Sequence, residues 1–373
     1  MKSQFKITKD PIKILHISTA KSWRGGEQQL AYLYEELDQK GVEQIILCVK
    51  DSKMEAYCRE KGHQFVSQVK RSGVDPFFAK RIKSICKKID IDLIHTHDAH
   101  GHTYAIIAAA LWKNKTPIIV SRRVDFSVGK SKSSFYKYNH PKVAKIVCVS
   151  DKIKEITAKD ITDQSKLVTV HSGIDLTRFE NTHVPGKLKE LIGVQDKFLI
   201  GNTSALADHK DYFTFIDAAV KLNQKRKDCH FVAIGNGPLE EEIKSYASGK
   251  GLTNLSFTGF RSDVPEILGD LNVFLITSKT EGLGTSILDA FAQGVPVIAT
   301  AAGGIPEIVH HEKSGLLCPV FDSECLSVQL DRLLGDTALQ QQLIAGAKQV
   351  LASHTKAATA DKTLAVYRSV LGR

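Results

Sequence analysis

Two carboxylates stand beside the predicted start of a helix in the second half of the chain. Glu281 and Asp289 belong to the run SKTEGLGTSILDAFAQGVPVIAT (278–300), which follows an apolar strand, opens a helix at Thr285 or Ser286 and runs into a second apolar strand. The first turn of a helix presents unpaired backbone N–H groups and partial positive charge. The run therefore predicts a binding site for an anion.

Gly282 and Gly284 flank Leu283 directly after Glu281. Because glycine has no side chain, the phosphates of a ligand could meet the backbone here. The competing interpretation is local: the run SILD matches a capping box, in which Asp289 would accept a hydrogen bond at the start of its own helix. Both interpretations of Asp289 stay open.

Glycines mark two further turns that follow predicted strands. Gly25 and Gly26 open a helix after the first strand, and Gly235 begins the run G-N-G-P in the second half. Such turns let a phosphate approach the backbone, although a simple tight turn is the alternative at both places and is favoured at Gly235. Neither run is G-x-G-x-x-G, so a nicotinamide dinucleotide is not indicated.

Four histidines occur in the run DLIHTHDAHGH at the end of a predicted strand: His95, His97, His100 and His102. His95 and His97 share one face of the strand, whereas the other two enter the next helix, so four ligands converging on a metal are not expected. A histidine at the carboxyl end of a parallel strand instead offers a neutral donor or acceptor to a sugar hydroxyl or a phosphate.

Cations stand at the ends of two other predicted strands. Lys210 precedes the first helix of the second half, where it could reach a phosphate. Arg122 and Arg123 could clamp a phosphate or a carboxylate. The alternative for the two arginines is a surface pair balanced by Asp125.

The elements that position these residues alternate in type along both halves of the chain. Apolar strand runs alternate with helical patterns, apart from an irregular linker over 171–193. This alternation predicts parallel sheets covered by helices. We therefore predict an α/β protein with two Rossmann-like domains, 1–175 and 176–354, facing each other across a cleft, and a last helix (355–373) that could cross back to the first domain.

Length and cysteine usage restrict the class of protein. At 373 residues the chain suits two domains. The seven cysteines are scattered without a C-x-x-C pair, which predicts buried thiols in a reducing compartment rather than disulfides or zinc. The start of the chain is polar and no apolar run is long enough to cross a bilayer, so a cytoplasmic location is expected.

Positive charge is concentrated in the first half of the chain. Residues 1–180 contain 32 Lys and Arg against 20 Asp and Glu, a net +12, and the remaining 19 and 21 give −2. A half with this excess of positive charge favours binding to phospholipid headgroups, a phosphorylated glycolipid or nucleic acid. The alternative is a solvated basic face without a ligand. The helical pattern over 76–89 could lie on a membrane, although core packing of its apolar face is the favoured interpretation.

Several runs occur together in one order: Gly-Gly-Glu, D-L-I-H-x-H, S-G-I-D-x-x-R-F, G-N-G-P, F-T-G-F-R-S-D-V, E-G-L-G-T-S-I-L-D-A and G-G-I-P-E-I-V. Over most of its length the chain thereby resembles the GT-B retaining glycosyltransferases of family 4. The resemblance implies transfer of a sugar from a nucleotide sugar of the UDP or GDP type to a glycan or glycolipid acceptor. It also implies retention at the anomeric carbon, no metal and no other cofactor, and no nucleic-acid partner. Bacterial envelope polysaccharide or lipopolysaccharide synthesis is the expected process, with peripheral contact at the inner face of the plasma membrane.

Matching positions imply roles for single residues. Glu281 would lie near the transferred sugar, Lys210 on the diphosphate and His97 near the donor sugar, and these three are the expected catalytic residues. Asp289 would hold the ribose hydroxyls. Further donor contacts are expected at Gly25, Gly26, Gly235, Phe260, Arg261, Gly282, Leu283, Gly284 and Thr285, and acceptor contacts at Arg122 and Arg123.

Two positions depart from the family's pattern. Asp289 stands where Glu is usual, and Ala205 stands where an Arg often precedes the lysine. One diphosphate cation is therefore missing, with Arg24, Arg122, Arg261 or backbone amides as its substitutes.

Two other activities are weighed against transfer to an acceptor. A sugar-nucleotide epimerase of related fold would convert the donor without an acceptor. A non-catalytic nucleotide-sugar-binding subunit is suggested by Ala205, since it would bind the donor without releasing nucleotide.

Overall fold

The computed structural model describes residues 11–373, which form two compact units. The first unit takes in the described residues as far as Val149, then Lys154–Val170 and Thr359–Arg373. The second takes in Ser150–Ile153 and His171–Ala358. The end of the chain is therefore part of the first unit rather than of the unit that precedes it in sequence.

The first unit is built on a parallel sheet. Its strands are β1 (Lys13–Ser18), β2 (Glu43–Val49), β3 (Phe65–Gln68), β4 (Leu93–Thr96), β5 (Ile118–Arg122), β6 (Val143–Cys148) and β7 (Leu167–Thr169). Over the described residues they lie in the order β3-β2-β1-β4-β5-β6-β7. Ile14, Leu15 and Ile17 of β1 are fully buried, as expected where helices cover both faces of a parallel sheet.

The second unit has a parallel sheet of the same kind. Its strands are β8 (Phe198–Thr203), β9 (Cys229–Ile234), β10 (Leu255–Gly259), β11 (Val273–Ile276), β12 (Val297–Thr300) and β13 (Leu316–Cys318). Within the described part of the chain their order is β10-β9-β8-β11-β12-β13. The two predicted Rossmann-like folds are confirmed. The short strands β3 and β13 were not predicted.

Several helices begin at short polar side chains that cap them. Asp75, Asp98 and Asp211, for example, accept hydrogen bonds from backbone N–H groups of the turn that follows each of them. In chain order the helices are α1 (Gly25–Gln39), α2 (Lys53–Lys61), α3 (Pro76–Ile89), α4 (Ala99–Ala110), α5 (Lys132–Asn139), α6 (Asp151–Ala158), α7 (Lys187–Ile192), α8 (Tyr212–Lys225), α9 (Glu240–Gly249), α10 (Val264–Ile267), α11 (Thr285–Ala292), α12 (Ser323–Gly335), α13 (Thr337–Leu351) and α14 (Lys356–Leu371).

The last helix completes the core of the first unit. Leu364 and Tyr367 of α14 are buried in one apolar cluster with Ile14 and Leu93 of the central strands. The hydroxyl of Tyr367 lies 2.6 Å from Nδ1 of His95. The predicted return of the last helix to the first domain is therefore observed.

Helix α3 packs its apolar face into the core. Phe78, Ile82 and Ile85 are buried, which is the interpretation that the sequence favoured over a membrane-lying helix. Phe77 is the exception, because 61% of it is exposed. Among residues 11–373 no helix combines the length and the apolar character that a membrane span requires.

Both sheets reverse their strand order next to the first strand. In the first unit β1 lies between β2 and β4, and in the second unit β8 lies between β9 and β11. The crevice outside the carboxyl ends of strands at such a reversal is where open α/β sheets bind ligands. The loops that follow β1, β4, β8 and β11 are therefore the first places to look for a site.

One pair of cysteines contradicts the expectation that the chain lacks disulfides. Cys318 at the end of β13 and Cys325 on α12 form a disulfide. The turn between them brings the Cα atoms within 5.8 Å, and spacing alone did not reveal this approach. The other cysteines are free and buried, as predicted.

Candidate active site

Two residues of opposite charge meet at the carboxyl edge of the second unit's sheet. Lys210 lies in the loop after β8, Glu281 lies in the loop after β11, and the Lys210 ammonium and Glu281 carboxylate form an ion pair. Both side chains are largely buried, at 13% and 15% exposure. The hydroxyl of Ser278 lies 3.3 Å from the same carboxylate oxygen of Glu281. The two catalytic residues predicted in this unit are therefore brought together.

The backbone around Glu281 is held by a second glycine-containing loop. A Cβ at Gly303 would lie 1.9 Å from the carbonyl oxygen of Glu281, and one at Gly304 would lie 2.3 Å from that of Gly282. The amide of Gly304 donates to the Glu281 carbonyl at 3.1 Å. The run G-G-I-P thus fixes the position of the loop that carries the carboxylate.

Helix α11 begins immediately after this loop. Gly284 occupies the N-cap position with φ of 91°, a left-handed conformation that favours glycine. In the described chain no side chain caps this helix start. Thr285 is half-buried and Leu283 is buried beneath the turn. The backbone N–H groups of the first turn thus have the arrangement that binds anions.

The position of Asp289 excludes one of its two interpretations. Since α11 starts at Thr285 with Gly284 as its N-cap, Asp289 lies in the second turn, beyond the position from which its side chain could cap the helix. The capping interpretation is therefore wrong. Burial raises the pKa of Asp289 to about 7, and the charge of Arg178 opposes this rise.

Other predicted donor contacts lie at neighbouring loops of the second unit. Gly235 has φ of 144°, and a Cβ there would lie 2.0 Å from the carbonyl oxygen of Ser204, so close backbone packing accounts for this glycine. Phe260 is 75% exposed. The guanidinium of Arg261 forms two hydrogen bonds with Asp263, at 2.8 and 2.5 Å, and is thereby engaged.

Lys279 is a cation that sequence reasoning missed. It lies between Ser278 and the Glu281 loop, and its ammonium forms a 2.6 Å salt bridge with Asp208. Its amide donates to the carbonyl of His209 at 3.0 Å, which places Lys279 beside Lys210. Ala205, the position without the expected arginine, is exposed on the loop that contains Asp208. The signal in the sequence was Lys279 itself, two positions before Glu281.

In the first unit, the Gly25–Gly26 turn opens α1 next to charged side chains. Glu27 is buried and accepts a hydrogen bond from the amide of Arg24 at 3.1 Å. Cδ of Arg123 lies 4.0 Å from the position that a Cβ atom on Gly26 would occupy. Burial lowers the pKa of Arg123 to about 10, an effect that the charge of Glu27 opposes.

Arg122 lies in a different environment from Arg123. It is buried, its guanidinium donates to the hydroxyl of Tyr138 at 3.2 Å and to the carbonyl of Phe126, and it stacks over the rings of both. These contacts hold α5 and the loop before it to β5. The acceptor contacts assigned to Arg122 and Arg123 stay predictions, and Arg123 is the one that lies by the glycine turn.

The histidines of the first unit separate into two groups. His95 and His97 meet His16 of β1, and ring nitrogens of the three lie within 4.8 Å of one another. His100 is exposed and His102 contacts the carbonyl of Lys137, so the four histidines of the run do not converge. Nε2 of His97 lies 3.0 Å from Nδ1 of His16. His95 contacts the hydroxyls of Tyr367 and Ser121.

Two family models match the chain. "Glycosyltransferase Family 4" matches residues 23–178 and "Glycosyl transferases group 1" matches residues 188–350. Between them they match most of both units, including the glycine turn at Gly25 and the loops after β8 and β11.

Named relatives extend over most of the chain. One is the Escherichia coli UDP-Gal:alpha-D-GlcNAc-diphosphoundecaprenol alpha-1,3-galactosyltransferase, 26% identical, with 90% of this chain and 91% of the relative aligned. Another is the Campylobacter jejuni N,N'-diacetylbacillosaminyl-diphospho-undecaprenol alpha-1,3-N-acetylgalactosaminyltransferase, 24% identical, with 82% of this chain and 85% of the relative aligned. The comparisons give the epimerase alternative no support.

Solved structures share the fold. A glycosyltransferase from Rickettsia africae matches with a TM-score of 0.84 at 20% identity, covering 97% of this chain and 99% of its own. Anabaena HepE in complex with UDP-glucose matches with a TM-score of 0.84 at 18% identity, covering 96% of this chain and 100% of its own.

Proposed function

The chain belongs to the glycosyltransferases of group 1 and family 4, and we propose that it transfers a sugar from a nucleoside-diphosphate sugar to a lipid-linked glycan, with retention and without a metal. The observation that carries the proposal is the Lys210–Glu281 ion pair beside the uncapped start of α11. The pair combines a cation that can stabilise the leaving phosphate with a carboxylate that can stabilise the positive charge developing on the sugar.

The donor's diphosphate is held in the second unit by cations and backbone N–H groups. Lys210 is the first cation. Lys279 supplies the second positive charge, in place of the arginine that the family often has at the position of Ala205. The N–H groups at the start of α11 supply the remaining positive field. UDP is the favoured nucleotide, because a similar structure was solved with UDP-glucose and a named relative uses UDP-Gal.

The nucleoside and the sugar contact side chains that lie next to those holding the diphosphate. Asp289 accepts the ribose hydroxyls, and Phe260 with Arg261 lies along the base. In the first unit, His97 contacts the transferred sugar and Gly25–Gly26 the donor phosphates. These roles rest on the family's pattern and on the exposure of the Phe260 ring.

The transfer step breaks the bond between the anomeric carbon and the phosphate oxygen and forms one from that carbon to the acceptor hydroxyl on the same face. The acceptor's proton passes to the departing phosphate oxygen. Lys210 stabilises the negative charge that grows on the phosphate, for which preorganised charges are most effective. Glu281 stabilises the positive charge on the sugar, so no carboxylate acts as a covalent nucleophile.

The chain's own residues suit a reaction without a metal. Apart from Nδ1 of His97, the ring nitrogens of His16, His95 and His97 already engage one another or neighbouring polar groups. A second cluster is centred on Glu307, whose carboxylate accepts from His171 and from the amides of residues 151 and 152. Binding a metal would require these hydrogen bonds to break.

The acceptor is anionic. A cavity of about 740 Å³ in the first unit is lined by Lys21, Arg24, Lys70, Arg71 and His100. The one carboxylate of that lining, Asp98, is engaged by Thr19 and by the amides at the start of α4, which leaves the basic groups to set the local charge. Two relatives are named for diphospho-undecaprenol acceptors, and a lipid-linked diphosphate fits this charge.

A surface beside this cavity suits a membrane carrying such an acceptor. Val74, Phe77, Leu111 and Trp112 form an exposed apolar surface, the 77/112 surface. Arg71 lies over the Phe77 ring and Lys80 over the Trp112 ring. Aromatic rings next to cations are typical of contact with anionic headgroups. The proposed role is bacterial envelope polysaccharide synthesis at the inner face of the plasma membrane.

The proposed cytoplasmic location rests on thiol chemistry as well as on the donor. Cys48, Cys58, Cys86, Cys148 and Cys229 are buried free thiols, which fit a reducing compartment. The Cys318–Cys325 disulfide argues the other way. The cytoplasmic placement therefore rests on the nucleotide-sugar donor and the free thiols together.

A panel of nucleotide sugars tests the proposal. We expect one UDP- or GDP-sugar to raise the melting temperature, since a ligand that binds only the folded state stabilises it further as the ligand concentration exceeds its Kd. Adding a synthetic lipid-diphosphate saccharide should then release the nucleotide, with or without EDTA. Conversion of the donor without an acceptor, or donor binding without acceptor-dependent release, would contradict the transferase.

A further inference from the structure

A line of hydrogen bonds crosses the central strands of the first unit. Nε2 of Gln44 donates to the backbone carbonyl of Tyr34 at 3.0 Å, and Oε1 of Gln44 lies 3.0 Å from Nε2 of His16. Nδ1 of His16 lies 3.0 Å from Nε2 of His97. Gln44, His16 and His97 are all buried. The line thus starts at α1, crosses β2 and β1, and ends just beyond β4.

Each hydrogen bond in this line can run in only one direction. A backbone carbonyl only accepts, so Tyr34 requires the amide nitrogen of Gln44 to face it. The oxygen of Gln44 then faces His16 and must accept, so the His16 proton lies on Nε2. A neutral imidazole carries one proton, which leaves Nδ1 of His16 as an acceptor. His97 must therefore donate from Nε2, and its own Nδ1 carries a lone pair.

These hydrogen-bond directions hold only while both imidazoles are neutral. Burial lowers the pKa of His16 to about 4, although its hydrogen bond to Gln44 opposes this. Burial also lowers the pKa of His97 far below its usual value, and the nearby His95, His16 and Arg123 act in the same direction. At neutral pH neither ring carries a second proton that could reverse the line.

The last atom of the line has no partner. Nδ1 of His97 is buried and makes no hydrogen bond within residues 11–373. A buried acceptor without a partner costs roughly 1–3 kcal/mol. His97 immediately follows β4, at the sheet edge where ligands of such folds bind. A group that donates a hydrogen bond would satisfy this atom.

We propose that Gln44 and His16 are positioning residues that hold His97 in a single tautomer, so that its Nδ1 accepts a hydrogen bond from a hydroxyl group of the transferred sugar. This inference rests on the proposed function for the identity of the ligand, whereas the tautomer stands on the hydrogen-bond directions alone. A sugar lacking that hydroxyl would leave Nδ1 without a donor, and one offering only an ether or carbonyl oxygen there would place an acceptor against an acceptor.

His95 provides the contrast within the same cluster. Its ring nitrogens contact the hydroxyls of Tyr367 at 2.6 Å and Ser121 at 2.9 Å. A hydroxyl can donate or accept, so neither partner decides which nitrogen of His95 carries the proton. The directional line through Gln44 is therefore specific to His97.

The tautomer can be measured on the whole chain without any substrate. In protein labelled with ¹⁵N in the histidine rings, ¹H–¹⁵N correlation spectra report which nitrogen carries the proton. We expect His97 to be neutral, protonated on Nε2 and unprotonated on Nδ1. A proton on Nδ1, or a charged ring at neutral pH, would overturn the proposal whether or not the protein is a transferase.

Gln44→Leu removes the amide group that sets the direction of the hydrogen bonds, while keeping a side chain of similar size. We expect His97 to become a mixture of tautomers, and Ser121→Ala, which alters only a contact of His95, to leave His97 unchanged. If the Gln44→Leu variant keeps the pure Nε2–H tautomer, Gln44 does not act as proposed. The wild-type spectrum decides the tautomer even if this variant fails to fold.

Donor analogues connect the tautomer to specificity. Among deoxy analogues of the accepted donor, we expect one to lose about tenfold in kcat/KM with wild-type protein, and this loss to shrink in Gln44→Leu. An equal loss in both proteins would show that the hydrogen bonds from Gln44 do not control how His97 contacts that hydroxyl. Absence of turnover with every donor would instead refute the proposed function and leave the spectral result standing.

Discussion

Lys210 and Glu281 form a largely buried ion pair that joins the loops following β8 and β11. Each residue satisfies the charge of the other, so a diphosphate that attracts Lys210 also changes the environment of Glu281. The two loops are further tied by Thr277, whose hydroxyl donates to the carbonyl of Asp211 at 2.9 Å. The pair thus links nucleotide binding to the carboxylate that we propose acts on the sugar.

Glu281→Ala should abolish transfer while sparing nucleotide binding. Loss of one preorganised charge at a reacting centre costs roughly 10²–10³-fold in turnover. Because Lys210 loses its partner, the affinity for UDP or GDP should stay the same or rise. Acceptor-dependent nucleotide release and calorimetric titration measure the two quantities. Weaker nucleotide binding with turnover retained would contradict the assigned role.

Lys279→Ala should weaken binding of the diphosphate specifically. One charge-assisted hydrogen bond is worth about 1.5–3 kcal/mol, so the affinity for the nucleoside diphosphate should fall by tenfold or more, since about 1.4 kcal/mol corresponds to a factor of ten. Binding of the free nucleoside should not change. Lys250→Ala is the matched control, because Lys250 forms a similar 3.0 Å salt bridge with Asp217. Equal effects of the two variants would exclude Lys279 from the site.

Asp289 should make the protein less stable as the pH rises from about 4 to 7. Its pKa is raised from 3.8 to about 7, so the folded protein retains a proton that the unfolded chain releases over this range. Stability is thus lost as the pH rises, by at most about 1.4 kcal/mol per pH unit. Asp289→Asn removes this contribution. Denaturant unfolding from pH 4 to 8 should show a flatter profile for the variant, and parallel profiles would contradict the raised pKa.

Gly303→Ala should damage both stability and activity. The new methyl group would overlap the carbonyl oxygen of Glu281, at 1.9 Å, and the φ of 52° disfavours any side chain. A loss of at least about 2 kcal/mol in unfolding free energy is expected from strain and overpacking. Gly335→Ala, at the end of α12 with open space around it, serves as control and should be neutral. Similar stability of both variants would show that the loop at Glu281 can shift.

Phe77→Ser should weaken association with anionic vesicles. Phe77 is the most prominent aromatic ring of the 77/112 surface, and burying such a ring contributes about 1.5–3 kcal/mol, so a loss of about tenfold in co-sedimentation is expected. Phe321→Ser removes a similarly exposed ring from the second unit and should have no effect. If the wild-type protein fails to bind phosphatidylglycerol vesicles at low salt, the membrane contact is refuted.

Much of the second unit's site could be predicted from local pattern. Glu281, the glycines after it and the helix start at Thr285 lie within one short run, so their proximity follows from chain continuity. Lys210 was predicted because it follows a strand whose carboxyl end meets the same sheet edge. The pairing of Lys210 with Glu281 was not predicted, since it depends on how two loops pack.

The hydrogen-bond line of the first unit could not be predicted. His16 lies inside an apolar strand and Gln44 inside the next, where periodicity indicates only burial. Their contact depends on strand neighbours and register, here His16 opposite Ile46 on one side and His95 on the other. Strand β3 was missed for a related reason: Phe65–Gln68 is half-buried throughout and lacks a continuous apolar run.

The composition of the first unit has a consequence for synthesis on the ribosome. Its core includes Leu364 and Tyr367, which are translated after the whole second unit. Since domains fold largely as units while the chain emerges, the second unit can finish folding first. The first unit must wait, with the surface that α14 covers open, until α14 has been synthesised and has left the ribosome. The emergence of α14 is thus also the step that completes the cluster around His95.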